Sequence, residues 1–97
     1  MYPIRILGSL GLMGKKTNGT LTITMDQISA ISEYPDKHFS FSPAELKSVY
    51  YSHFNGVWDL RVHGKKRAFF QVQENKDEVY ALMHQVTAPH KTKFQSV

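Results

Sequence analysis

Four consecutive segments decide the fold: Leu46-Lys-Ser-Val-Tyr-Tyr-Ser-His53, Val57-Trp-Asp-Leu-Arg-Val62, Arg67-Ala-Phe-Phe-Gln-Val-Gln73 and Asn75-Lys-Asp-Glu-Val-Tyr-Ala-Leu-Met-His-Gln-Val-Thr87. The first three are short, rich in β-branched and aromatic residues, and separated by Asn55-Gly56 and by Gly64-Lys65-Lys66, so they read as strands joined by tight turns. In the second, Trp58, Leu60 and Val62 alternate with Asp59, Arg61 and His63. In the third, Ala68, Phe70 and Val72 share a face and Phe69 lies on the other. The fourth segment changes period. Val79, Leu82, Met83 and Val86 follow helical i, i+3, i+4, i+7 spacing, with Asn75 at the N-cap and Glu78 in capping-box position. Three strands followed by one helix predict a small sheet closed or capped by that helix.

The upstream half extends the pattern. Tyr2 to Met13 carries apolar residues broken by Gly8 and Gly11, which oppose a helix and suggest one strand or a bent pair. Lys15-Lys-Thr-Asn-Gly19 reads as a polar hairpin turn, because Asn-Gly tolerates positive φ. Thr20 to Met25 alternates, with Leu21, Ile23 and Met25 on one face and threonines on the other. Asp26-Gln27 is the next turn and Ile28 to Ser32 a short strand. A loop over 33–38 leads to Phe39-Ser-Phe41, and Ser42-Pro43-Ala44-Glu45 suits a single helical turn. The sequence thus predicts one domain over 1–97, with strands between about 3 and 73, a helix over about 75–87 and a frayed polar tail over 88–97. The expected core joins Trp58, Leu60, Val62, Phe70 and Val72 to Val79, Leu82, Met83, Leu21 and Ile23.

Three stretches carry a further likeness: Gly19-Thr-Leu-Thr-Ile-Thr24, Phe41-Ser-Pro-Ala-Glu-Leu-Lys-Ser-Val49 and Leu60-Arg-Val-His-Gly-Lys-Lys-Arg-Ala-Phe-Phe70. In that order they resemble the second strand, the apolar-Pro-x-x-apolar segment and the closing hairpin of the bacterial pleckstrin-homology-like (PH-like) and GRAM-like families. The resemblance spans about 19–86. It implies a mainly-β domain, a seven-stranded bent antiparallel sandwich or barrel capped by a C-terminal helix. It also implies a binding module whose strand edges accept partner strands. The Lys and Arg alternation through the first hairpin of eukaryotic PH domains is represented here only by adjacent Lys15 and Lys16.

Composition narrows the chemistry. There is no cysteine, which removes disulfides, zinc-thiolate sites and thiol catalysis. No apolar run approaches membrane-spanning length, and no charged leader precedes a long apolar segment, so a cytoplasmic protein is expected. Gly14-Lys15 invites a phosphate-binding loop, but Ser9 stands where that loop needs its first glycine, and Lys16 where it needs Ser or Thr. No two of the five histidines sit at metal-ligand spacing on one helix, although His53 and His63 are candidates for cross-strand neighbours. No nucleophile with a positioned base is identifiable. No enzyme, metal or cofactor is expected.

What remains is binding. The formal charge of +4 permits anionic partners. Lys15 and Lys16 in the first turn, and Lys65, Lys66 and Arg67 in the last, form an anion- or partner-binding rim if the two turns converge, and solvated turns if they do not. The segment 46–53 is a candidate edge strand for strand addition, carrying Lys47, Tyr50 and Tyr51, with the two tyrosines on opposite faces. Protein contact or self-association is the leading expectation. Anionic lipid or phosphate binding through the Lys15–Lys16 turn is the alternative. Single-stranded nucleic acid stacking on Tyr34, Tyr50, Tyr51, Phe54 and Phe69 comes third.

Overall fold

Alternation over 57–62 and over 67–72 produces two neighbouring strands of a single sheet. In the computed structural model, which describes residues 1–9, 12–34, 38–63 and 67–97 (backbone alone for 8–9 and 12–16), the strands are β1 (Tyr2–Ser9), β2 (Leu12–Ile23), β3 (Ile28–Ser32), β4 (Phe39–Phe41), β5 (Leu46–Ser52), β6 (Val57–Val62), β7 (Arg67–Val72) and β8 (Lys93–Ser96). A 3-10 turn spans Pro43–Glu45, and the helix α1 spans Lys76–Thr87. The sheet order is β4-β3-β2-β1-β7-β6-β5-β8. Every pair is antiparallel except β5 with β8, which run parallel. The protein is therefore mainly β, with one helix and one mixed sheet.

The inner face is mainly apolar, with Thr17 a buried polar residue opposite Ile6. Trp58, Leu60 and Val62 from β6 and Ala68, Phe70 and Val72 from β7 are buried, as their alternation predicts. Val79, Met83 and Val86 of α1 close onto them, and Leu82 packs half-buried at the margin. Leu21 and Ile23, both expected in the core, join the cluster from β2, together with Ile4, Ile6, Ile28, Phe39, Val49 and others from the remaining strands.

Several expectations are corrected. The polar stretch Lys15–Gly19 is not a turn but lies inside β2, which pairs with β1 from Tyr2 with Leu21 to Ser9 with Leu12. There Ile6 faces Thr17 and Gly8 faces Met13, so residues 14–16 bulge opposite Leu7. Gly19 is needed for close approach and not for a turn. It pairs with Ile4 and Ser32, and a Cβ there would stand 2.7 Å from the Ile31 carbonyl oxygen. β2 ends at Ile23 because Thr24 takes the turn: its N–H donates to Gln27 O (2.8 Å) and its Oγ1 accepts from Gln27 N (3.0 Å). Met25 is consequently exposed and not in the core.

At the β5–β6 turn Gly56 has φ +71°, and its N–H donates to Ser52 O (2.9 Å), while Asn55 Oδ1 accepts from Val57 N. Asn75 does not make the expected capping box. It takes a left-handed conformation at φ 54° with no side-chain cap bond. The tail is not frayed through 93–96, which pairs along the outer edge of β5. Phe94 anchors it, packing against His84 (ring centroids 4.5 Å), Tyr80 (5.6 Å) and Trp58 (6.0 Å). An eighth strand thus joins the seven expected.

Candidate binding face

Residues directly opposite one another on neighbouring strands share a face, so register assembles the outer surface of the sheet. One row crosses four strands: Lys93 on β8, Ser48 on β5, Arg61 on β6 and Arg67 on β7. The next row runs Gln95, Tyr50, Asp59 and Phe69. Strands stand about 4.8 Å apart, which places Lys93 and Arg61 on either side of Ser48 about 10 Å from each other. Over β8, β5 and β6 these rows enclose an open groove of about 590 Å³, lined by Lys47, Ser48, Tyr50, Asp59, Arg61, Lys93 and Gln95 together with Val49.

Lys47 enters this face through a local irregularity. Leu46 faces Val62 and Ser48 faces Arg61, so β5 carries one extra residue at Lys47. Leu46 points inward and is buried, Ser48 and Tyr50 point outward, and the bulge lets Lys47 line the outer groove beside them. Bulges commonly re-aim a side chain in this way near functional surfaces.

One carboxylate organises the cations. Asp59 receives a bidentate pair from Arg67, Nε to Oδ1 at 2.7 Å and Nη2 to Oδ2 at 2.8 Å. Arg61 Nη2 lies 3.8 Å from the same Oδ2. The Asp59 side chain is only 12% exposed, against 63% for Arg61 and 45% for Arg67. The hydrogen bonds to Asp59 raise the Arg67 pKa, against a smaller opposing effect of burial. The Arg67 guanidinium also lies 5.0 Å from the centre of the Phe69 ring. Asp59 is therefore committed to Arg67, whereas Lys47 and Lys93 have no ion pair among the described residues. The groove carries an excess of positive charge, with Lys47, Arg61 and Lys93 against Asp59.

The residues singled out from sequence divide accordingly. Lys47 and Tyr50 lie in the groove. Tyr51 faces inward, 3% exposed, stacked near Trp58 with ring centroids 4.2 Å apart, and offers no outer contact. β5 itself is not an edge, because β8 covers it. Arg67 sits in β7, already clamped, and not on a free turn. Lys15 and Lys16 lie in β2, their side chains outside the described residues, as are Lys65 and Lys66 altogether. Ser9 pairs with both Leu12 and Ala68, so the β1–β2 tip and the start of β7 lie at the same end of the sheet.

His53 and His63 are not neighbours. They follow opposite ends of the β5–β6 pair, about 20 Å apart at strand rise. Among the aromatics, Tyr34 and Phe54 are exposed, but neither lies in the groove. Among the described residues no group of three His, Asp or Glu could hold a metal ion, and no helix is long and apolar enough to cross a membrane.

Sequence reading misses Ser48, Arg61, Lys93 and Gln95 as one face. Alternation of Arg61 with Leu60 and Val62 gives its direction. Lys93 and Gln95 flank Phe94 with the same period, but nothing local shows that this tail pairs with β5. No protein-family model matches the chain, and no curated protein matches it in sequence.

Proposed function

We propose that the chain is a non-catalytic PH-like binding module acting by protein contact through the outer face of β8, β5 and β6. An antiparallel run β4-β3-β2-β1-β7-β6-β5 followed by a core-packed helix supports the PH-like reading. The observation that carries the contact reading is the groove. It is an open groove in which Lys47, Arg61 and Lys93 outnumber the single carboxylate of Asp59, and a bulge in β5 turns Lys47 into it. Like charges directly opposite on a sheet repel, and here Asp59 offsets that repulsion by binding Arg67 and lying 3.8 Å from Arg61, which leaves Lys47 and Lys93 as the groove cations with no ion pair among the described residues.

A partner chain is favoured over a second copy. An isologous dimer through this face would set one positively charged groove against an identical one. A photo-crosslinking amino acid at Tyr50, with Ile31 on the opposite half of the sheet as control, tests the reading in extracts of the producing cell. Discrete protein adducts from position 50 but not from 31, resistant to nuclease, are expected. A self-adduct would move the function to homo-oligomerisation. No adduct, or one lost on nuclease treatment, would overturn the reading.

A further inference from the structure

We infer that the groove takes an acidic, extended segment of the partner protein, its carboxylates held by Lys47, Arg61 and Lys93; this rests on the protein-contact reading above. Three observations converge on it. First, Lys47 and Lys93 have no ion pair among the described residues, and Arg61 reaches the shared Asp59 only at 3.8 Å, so among those residues the groove has one carboxylate against three cations. Second, the carboxylate on its floor is already doubly bonded to Arg67 and cannot repel an incoming anion with a free charge as strongly as an unpaired one would. Third, the shape suits a chain. Lys93 and Arg61 flank Ser48 across adjacent strands, and alternate side chains of an extended peptide fall about 7 Å apart, a spacing that flexible Lys and Arg heads bridge. Ser48 and Gln95 supply hydrogen-bonding groups between the charges.

The aromatic content argues against a nucleic acid. Stacking of successive bases needs several open ring faces. On this surface Tyr50 is 43% exposed, but the Phe69 ring is approached by Arg67. An anionic bilayer is disfavoured by position, because the cations line an open groove with no apolar wedge among the groove residues.

The test is fluorescence anisotropy with the whole chain and a labelled ten-residue Glu-Thr repeat peptide. A dT10 oligonucleotide and phosphatidylserine vesicles are titrated in parallel. The peptide is expected to bind saturably, more weakly as salt rises. K47E/K93E is expected to weaken it at least tenfold, while R5E on β1, outside the groove and two strands from β6, changes it less than twofold. Thermal midpoints of the variants check folding, and the milder K47Q/K93Q keeps the test open if the reversal unfolds, with about a threefold loss expected. Absence of saturable peptide binding overturns the inference. So does equal loss in R5E, or tighter binding of dT10 or vesicles than of peptide. If the Tyr50 crosslink to a protein survives while the acidic peptide fails, the partner's chemistry is wrong and the module reading stands. If both fail, both are wrong.

Discussion

Replacing Asp59 by asparagine separates fold from binding, because the same carboxylate stabilises the sheet and dampens the groove. The amide keeps the volume but removes the charge that holds Arg67 at 2.7 and 2.8 Å. Hydrogen bonds to charged groups are worth about 1.5–3 kcal/mol, and unscreened repulsion between opposed Arg61 and Arg67 adds about 0.2–1 kcal/mol. Arg67 is 45% exposed, so water recovers part of what it loses. A net cost of about 1–3 kcal/mol follows. With a urea slope of about 1 kcal/mol per molar for a domain of this size, the midpoint should fall by roughly 1–3 M. At the same time the groove gains a unit of positive charge, so the acidic peptide should bind more tightly, about threefold or more at low salt, and the gain should shrink as salt screens it. Urea unfolding followed by Trp58 fluorescence gives the first quantity and peptide anisotropy the second. An unchanged midpoint would refute the clamp. Weaker peptide binding by a folded D59N would refute the idea that Asp59 opposes the ligand's charge.

Other substitutions probe the scaffold. Trp58 is fully buried and its Nε1 has no hydrogen-bond partner among the described residues, so W58F should cost far less than W58A, for which about 3–5 kcal/mol is expected in thermal or urea unfolding. Gly19→Ala should destabilise by about 1–3 kcal/mol in the same assay, because its Cβ meets a backbone oxygen that a strand cannot easily move; a neutral result would contradict the close-approach role. Burial, followed by Asp77 and Tyr80, raises the pKa of Tyr51 above its ordinary 10, so the folded chain holds that proton where the unfolded chain has released it. Its contribution to stability is complete below about pH 10 and is lost as pH rises through the folded pKa; the alkaline unfolding limb of Y51F, followed by circular dichroism, should therefore be shallower than that of the native chain.

The elements legible in the sequence are those whose information is local. β6 and β7 announce themselves by clean alternation between two turns, and α1 by its stripe, because each buries one face against a core of ordinary depth. Gly56 is readable because Asn-Gly needs little beyond its own dihedral freedom. Where the sequence misleads, a distant partner outvotes a local signal. Asn18-Gly19 has the composition of a turn, but pairing with β1 on one side and β3 on the other holds it extended. Lys93–Ser96 is too short and polar to mark itself as a strand, and only the slot around Trp58, Tyr80 and His84 that receives Phe94 makes it one. The binding face is half visible for the same reason. Lys47 and Tyr50 are in view as part of one strand, whereas Arg61 and Lys93 join them only through register. Asp59 and Arg67, eight residues apart, read as a wet-face acid and a turn cation, because a bidentate pair depends on the β6–β7 register that brings them together.

The most direct test of the central claim is to add the Glu-Thr peptide to the isotopically labelled chain and follow every backbone amide by two-dimensional NMR. Saturable shifts gathered at Lys47, Ser48, Tyr50, Arg61, Lys93 and Gln95 are predicted, with β3 and β4 left still. Shifts centred on β3 and β4, or none in the groove at saturating peptide, would contradict the assignment of this face.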